Sequence, residues 1–404
     1  MNERELRDRL RDAAPVDADA RERARRVVQA AYAEYEPRRG RPNRPIRRPR
    51  RIVALAMAAA LLPVGAAGVA AASAPNSAVG EWVRGVLGVG ERDAAPALVH
   101  VPGGGRLLVQ AGDGVWAVVA DGAKRRLGAY AGAAWSPHGR FVIAWQGSGL
   151  TALDPGGRVR WSLARDGRVG LARWSPVDGF RIAYLVDDTL RIVNGDGTGD
   201  RHYGAARRAV PPAWRPDDAH ILAYVDARDR VNVAAVDGRR RLWRSAPLRD
   251  TVALTWSPDG SRLLVTTRRR VVLFGRSGQR LASRAMPAGS AVQNAQWAPR
   301  GSDVAIIRRS EAANRSEVLL LEGTPELGGR VLFTGPGRFG ALAWAPEGAR
   351  LLIGWPEADQ WLFLRPRGAG RLSAVANIAR QFTPGATSPP FPSTVQWCCS
   401  APDP

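Results

Sequence analysis

"TWSPDGSRLLV", residues 255–265, puts a large indole, a rigid Pro, an Asp-Gly corner and an apolar run within eleven residues. Ser257-Pro258-Asp259-Gly260 suits a type I turn, with Pro pre-setting φ at the second position and Gly last. A short strand is expected to end at Trp256, and "RLLVTT" follows as the next. The pattern continues with "VVLFG", an "RSGQ" turn and "RLASRA". That makes four short strands in about 40 residues, joined by tight turns.

The stretch returns in weaker copies. They read "WSPHG" at 135–139, "WSPVDG" at 174–179, "WRPDD" at 214–218, "WAPRG" at 297–301 and "WAPEG" at 344–348. The recurring positions are Trp135, Trp174, Trp214, Trp256, Trp297 and Trp344, with Pro137, Pro176, Pro216, Pro258, Pro299 and Pro346 two residues on. The Trp-to-Trp steps are 39, 40, 42, 41 and 47 residues. A degenerate copy, "VPGGG" at 101–105, has Val101 where Trp would stand. Self-similarity at this period marks an array architecture. A solitary four-stranded sheet would leave its faces wet; radial stacking buries them, and each Trp fills the space between neighbouring sheets. The expected fold is all-β, a seven-bladed β-propeller with its first blade near 97–130 and its last near 340–376. Six blades is the fallback if the degenerate copy is not one.

The W-S-P-D-G turn followed by an apolar strand resembles the TolB-like and WD40-like β-propeller repeats. The resemblance covers about residues 96–375. The Gly-His and Trp-Asp signatures of eukaryotic WD repeats are absent, so the TolB-like side is closer. The resemblance implies a scaffold that binds proteins or ligands, often in the cell envelope; it does not fix the partner.

The 404 residues are enough for a sizeable core, and 45% are hydrophobic, which excludes a disordered chain. The net charge is +22 and nearly all cations are Arg, the one Lys being Lys124. Such usage fits a GC-rich genome, and the basic excess favours anionic surfaces. No arginine stripe is interleaved with aromatics, so no nucleic-acid partner is expected.

A membrane segment is expected to divide the chain. Residues 52–74, "IVALAMAAALLPVGAAGVAAASA", carry no charge. As a helix they span roughly 34 Å, enough for a bilayer core. The preceding "PRRGRPNRPIRRPRR" (37–51) holds eight arginines, which should keep the N-terminus in the cytoplasm and the rest outside. The competing reading is a secretory signal cleaved after Ala74, since "ASA" at 72–74 resembles a cleavage site. Residues 1–51 then form a basic cytoplasmic segment whose stretch 19–35 reads as an amphipathic helix. Asp19 and Glu22 form a capping box, and Ala24, Val27, Val28, Ala31, Tyr32 and Tyr35 share one face. That helix is either solvated, headgroup-lying, or the contact for a cytoplasmic partner. Residues 75–95 read as a linker and 96–376 as the propeller. The Pro- and Ser-rich tail, 377–404, ends in an apolar "TVQWCC" that can run back and help close the ring.

Catalytic chemistry would be sought near the channel, where innermost strands precede each Trp. The residues there are His100, Ala134, Arg173, Ala213, Thr255, Gln296 and Ala343, a set without Asp or Glu. Paired carboxylates for glycoside chemistry, or a metal cage, would be expected at that mouth. No G-x-S-x-G turn or following hydrolase domain occurs. "NGDGTGD" (194–200) is slightly like a calcium loop but lacks the downstream Glu and sits where a hairpin turn belongs. His100, His138, His202 and His220 read as surface or packing residues. "EAANRS" (311–316) reads as an extended blade loop and a candidate binding edge. No cofactor and no metal are expected. Adjacent Cys398 and Cys399 are either reduced thiols, a vicinal disulfide, or a link to another chain.

The sequence therefore predicts a non-enzymatic, extracytoplasmic binding or sensing module on a single-pass anchor. Its expected partners are an unknown protein or envelope ligand at the propeller, the membrane through 52–74, and a cytoplasmic partner at 19–35. The rivals are a cell-envelope enzyme with loop-borne catalytic residues, a secreted binding protein, and a transmembrane regulator of a cytoplasmic partner such as a sigma factor.

Overall fold

Arg262–Thr267, "RLLVTT", is a strand buried at every position after the first. A sheet with one wet face would expose alternate residues; a continuous apolar run needs cover on both faces. The outermost strand of the same sheet, Arg280–Ala285, has only exposed and half-buried residues, as an edge in water should. Each repeat thus carries two central strands made for burial and a polar rim.

The computed structural model describes residue 95 and residues 97–399, apart from 208, 209, 218 and 368–371. Seven four-stranded antiparallel sheets are present, which makes the fold an all-β seven-bladed propeller. The inner strands of blades 2 to 7 are Gly132–Trp135, Val169–Trp174, Ala213–Trp214, Thr251–Trp256, Ser290–Trp297 and Leu342–Trp344. Each ends at a repeat Trp. The hydrophobic core is divided into layers, one between each pair of neighbouring blades, rather than gathered at one centre.

Blade 1 differs from the sequence expectation. Its outer three strands are Arg106–Ala111, Gly114–Val118 and Lys124–Gly128, but its inner strand is Thr394–Cys398 from the tail. This strand pairs antiparallel with Arg106–Ala111, setting Leu107 opposite Trp397. In blade 5 the corresponding pair is Leu263 opposite Trp256. Trp397 therefore holds the Trp position of the first repeat, and Val101 does not. The Val101 carbonyl accepts from the Gly104 amide at 2.9 Å, as Ser257 accepts from Gly260, so Val101 matches the residue after the Trp. The chain enters this turn from outside the blade, which is why no Trp precedes it. The turn from Trp397 reaches Gly139 of blade 2, whose φ of +61° and contact with Cys399 leave no room for a side chain.

The six repeat tryptophans occupy one environment, with exposures of 6–9%. Most also join neighbouring blades by a hydrogen bond. The indoles of Trp214, Trp256, Trp297 and Trp344 donate to the carbonyls of Arg173, Ala213, Thr255 and Gln296, each the residue before the previous blade's Trp. Guanidinium groups cover three of the rings: Arg106 over Trp135 at 5.0 Å, Arg215 over Trp256 at 5.7 Å and Arg262 over Trp297 at 5.8 Å.

The stretch 311–316 is not an extended loop. All four strands of blade 6 have eight residues, and Arg315 and Ser316 lie within one of them, leaving 311–314 as a short exposed turn. The extra length is paired rather than looped because Arg308 and Glu317 bond across the hairpin and buried Ser316 donates to the Gly337 carbonyl at 2.7 Å. After the last blade a helical turn, Ile378–Phe382, buries Ile378 and Phe382 between blades 7 and 1. Among the described residues no helix is long and apolar enough to cross a membrane. The amphipathic stretch 19–35, the apolar segment 52–74 and the linker up to residue 94 lie outside the described residues.

Candidate functional site

The inner strands surround a channel with a volume of about 870 Å³. Of the residues expected before each inner-strand Trp, Ala134 and Ala343 are buried, while Arg173, Ala213, Thr255 and Gln296 line the channel. His100 is not among them. It is an exposed residue of the segment entering blade 1, and Gln396 takes its place because the tail supplies the inner strand. The "VQW" at 395–397 repeats the apolar-polar-Trp order of "LTW" at 254–256 in blade 5, and this is the signal by which Gln396 was readable as a channel residue.

Gln396 is held on both sides of its amide. Its Nε2 donates to the Ala133 carbonyl at 2.8 Å and its Oε1 accepts from the Trp135 backbone amide at 3.2 Å. These bonds tie the tail strand to blade 2. Thr255, Asn294 and Gln296, from blades 5 and 6, are half-buried in the channel wall. Among the described residues, the channel lining contains no Asp, Glu, His or Lys, and Arg173 is its single charged residue.

Backbone irregularities shape this wall. The pairing register shifts by an extra residue between Gly170 and Arg173, between Thr251 and Ala253, and between Val292 and Asn294. A bulge re-aims the side chains that follow it. The first of the three has Leu171 at a φ of +53°, a left-handed conformation unusual for a bulky residue. No feature of the sequence marks these insertions, since they depend on cross-strand pairing.

The other singled-out residues lie elsewhere. In 194–200 the Asp196 carboxylate accepts from the Thr198 amide at 2.9 Å and hydroxyl at 2.7 Å, closing a hairpin turn. The Asp200 carboxylate is taken by Tyr184, Arg165 and Arg191. His138 packs edge-on against Phe180, and His220 Nδ1 lies 2.7 Å from the Asp237 carboxylate. Among the described residues, no group of three or more His, Cys, Asp or Glu side chains is placed to hold a metal ion. Cys398 and Cys399 are joined by a disulfide beside Arg106, whose guanidinium donates to the Gly139 carbonyl at 2.8 Å.

No family model matches the sequence, and no curated protein matches it either. Solved structures share its fold. A chain of the mitotic checkpoint complex superposes with a TM-score of 0.52 at 16% identity, over 71% of this chain and 91% of that one. Hydrazine synthase of Kuenenia stuttgartiensis superposes with a TM-score of 0.50 at 16% identity, over 58% of this chain and 75% of that one. One neighbour comes from a multiprotein assembly and the other is an enzyme. At such identity the likeness is one of β-propeller fold and extends to neither partner nor reaction.

Proposed function

We propose that the protein is a non-enzymatic binding module: a TolB-like propeller held outside the cytoplasm by a single membrane span at 52–74. The propeller serves as scaffold for a protein or an envelope ligand. The channel carries this reading. Its polar lining consists of amides, hydroxyls and one guanidinium, groups that hold a ligand by hydrogen bonding and charge. The TolB-like assignment is supported by the W-S-P-x-G turns, and the anchor by the uncharged run behind the arginines of 37–51. Under this layout residues 1–51 are cytoplasmic and stretch 19–35 meets a cytoplasmic partner.

The test uses the full chain in native membranes, with a photo-crosslinker at Gln293, exposed at the channel, or at Arg280, exposed on an outer strand. A specific adduct from position 293 and none from 280 is expected; equal labelling at both overturns the channel as the binding surface. Protease added to intact spheroplasts should digest the propeller and leave a small membrane-bound fragment. A propeller protected until lysis overturns the topology, and a mature N-terminus at Pro75 replaces the anchor with a cleaved signal.

A further inference from the structure

Several half-buried arginines of this protein are matched with carboxylates, while others, such as Arg262 and Arg284, donate to backbone carbonyls. Arg308 pairs with Glu317 at 2.9 Å, and Arg165 and Arg191 share Asp200 at 2.7 and 2.5 Å. Even buried Arg215, which replaces the turn Ser of blade 4, pairs with Asp217. Arg173 has no carboxylate partner among the described residues, and unlike the others it lines the channel. It is half-buried in the channel wall, and among the described residues its guanidinium donates to one acceptor, the Ala172 carbonyl at 2.9 Å. A guanidinium carries five N–H donors in a fixed fork, so most of its capacity is open to the channel. Burial lowers its pKa to about 10, which leaves it charged at neutral pH.

Keeping a charge in a partly desolvated site without a counter-ion is unfavourable. The backbone carries a second unfavourable feature next to it, since the bulge before Arg173 holds Leu171 in the left-handed region. Strained backbone and unmatched charge gather where a ligand uses them. The surrounding chemistry is of one kind. The Thr255 hydroxyl and the Asn294 and Gln296 amides line the same channel, and none makes a side-chain hydrogen bond within the described residues. These neutral groups can donate to an anion without repelling it, and no described carboxylate competes for the guanidinium there.

We propose that the channel binds a ligand through a small oxyanion, its carboxylate or phosphate group, on the Arg173 guanidinium, with Thr255, Asn294 and Gln296 as neutral donors elsewhere in the same lining. The proposal rests on the reading of the propeller as a binding module and names the chemical class of its ligand. A planar two-oxygen anion matches the guanidinium fork in bidentate fashion.

The experiment uses the full chain in detergent micelles at neutral pH. Acetate and inorganic phosphate are titrated separately, with sodium chloride holding ionic strength constant. Tryptophan fluorescence is read, since Trp135, Trp174, Trp214, Trp256 and Trp297 line the channel, together with the thermal midpoint. A saturable response to one or both anions and not to chloride is expected. Acetate alone identifies a carboxylate source and phosphate alone a phosphate source. Arg173→Gln should weaken the response about tenfold or more, Arg173→Lys should weaken it less, and Gln296→Leu should weaken it with the charge intact. Absence of response in the wild type, an equal response to chloride, or unchanged affinity in Arg173→Gln overturns the proposal. If Arg173→Gln does not fold, unchanged affinity in both remaining variants overturns it. Crosslinking at position 293 without an anion response removes the anion site and keeps the binding module; an anion response without crosslinking does the reverse.

Discussion

The indole N–H of Trp256 donates to the carbonyl of Ala213 at 3.2 Å, and Ala213 stands immediately before the Trp of the preceding blade. The link recurs from Trp214, Trp297 and Trp344 and is broken at Trp135 and Trp174, whose buried indole N–H groups find no partner among the described residues. One residue thus fills the space between two sheets and ties the backbone of one to the ring of the next. Trp256→Ala should cost roughly 3–5 kcal/mol, the usual range for a buried large aromatic. Trp256→Phe keeps most of the buried area and loses the bond, costing about 1 kcal/mol for the bond itself. Denaturant unfolding of the two variants checks the split, and an unchanged midpoint for Trp256→Ala would contradict the blade packing.

Asp200 gives a pH dependence of definite sign. Burial pushes its pKa up, but hydrogen bonds from Arg191 and Tyr184 and the charge of Arg165 outweigh this and hold it below the usual carboxylate range. The folded protein therefore binds this proton more weakly than the unfolded chain. Its stabilisation is complete above the unfolded value of about 3.9 and is lost as pH falls through the lower folded value. Asp200→Asn should flatten that part of the acid limb in thermal melts between about pH 5 and 2. An acid limb identical to wild type would remove Asp200 from the account.

Ring closure depends on the tail strand. Deleting residues 394–404 leaves the Arg106–Ala111 strand with an unpaired edge, a template for association with other chains. Size-exclusion chromatography should show aggregates or higher oligomers where the full chain runs as one species. Gln396→Leu keeps the strand but leaves the Ala133 carbonyl and Trp135 amide unmatched, at a cost of roughly 1–3 kcal/mol. A truncated chain that melts like the full one would show that the strand is dispensable.

The Cys398–Cys399 bridge closes a ring of neighbouring residues, so the chain-entropy route to stability contributes little. Reduction should lower the thermal midpoint only slightly. Intact mass of protein purified without reductant should be about two hydrogens below the reduced form, with both sulfurs resistant to alkylation. Two readily alkylated thiols would show that the pair is open in solution.

The blades were legible because their signals are local. Trp, Pro and Gly at fixed offsets set each first turn, and continuous apolar runs marked the strands covered on both faces, so period and blade number followed from one chain read end to end. Closure was not, because the sheet that joins the ends pairs Leu107 with Trp397 across 290 residues, and only the assembled ring shows that the tail supplies the missing Trp while Val101 sits one position past it. The channel is a property of assembly too. Arg173 stood in the sequence as one residue before a Trp; that no described carboxylate meets it, that Thr255, Asn294 and Gln296 share its cavity, and that Leu171 is strained beside it all depend on how strands and separate blades face one another. Turn and strand preferences act within a few residues of chain and are written there, whereas the matching or mismatching of a charge is settled by neighbours that sequence distance does not predict.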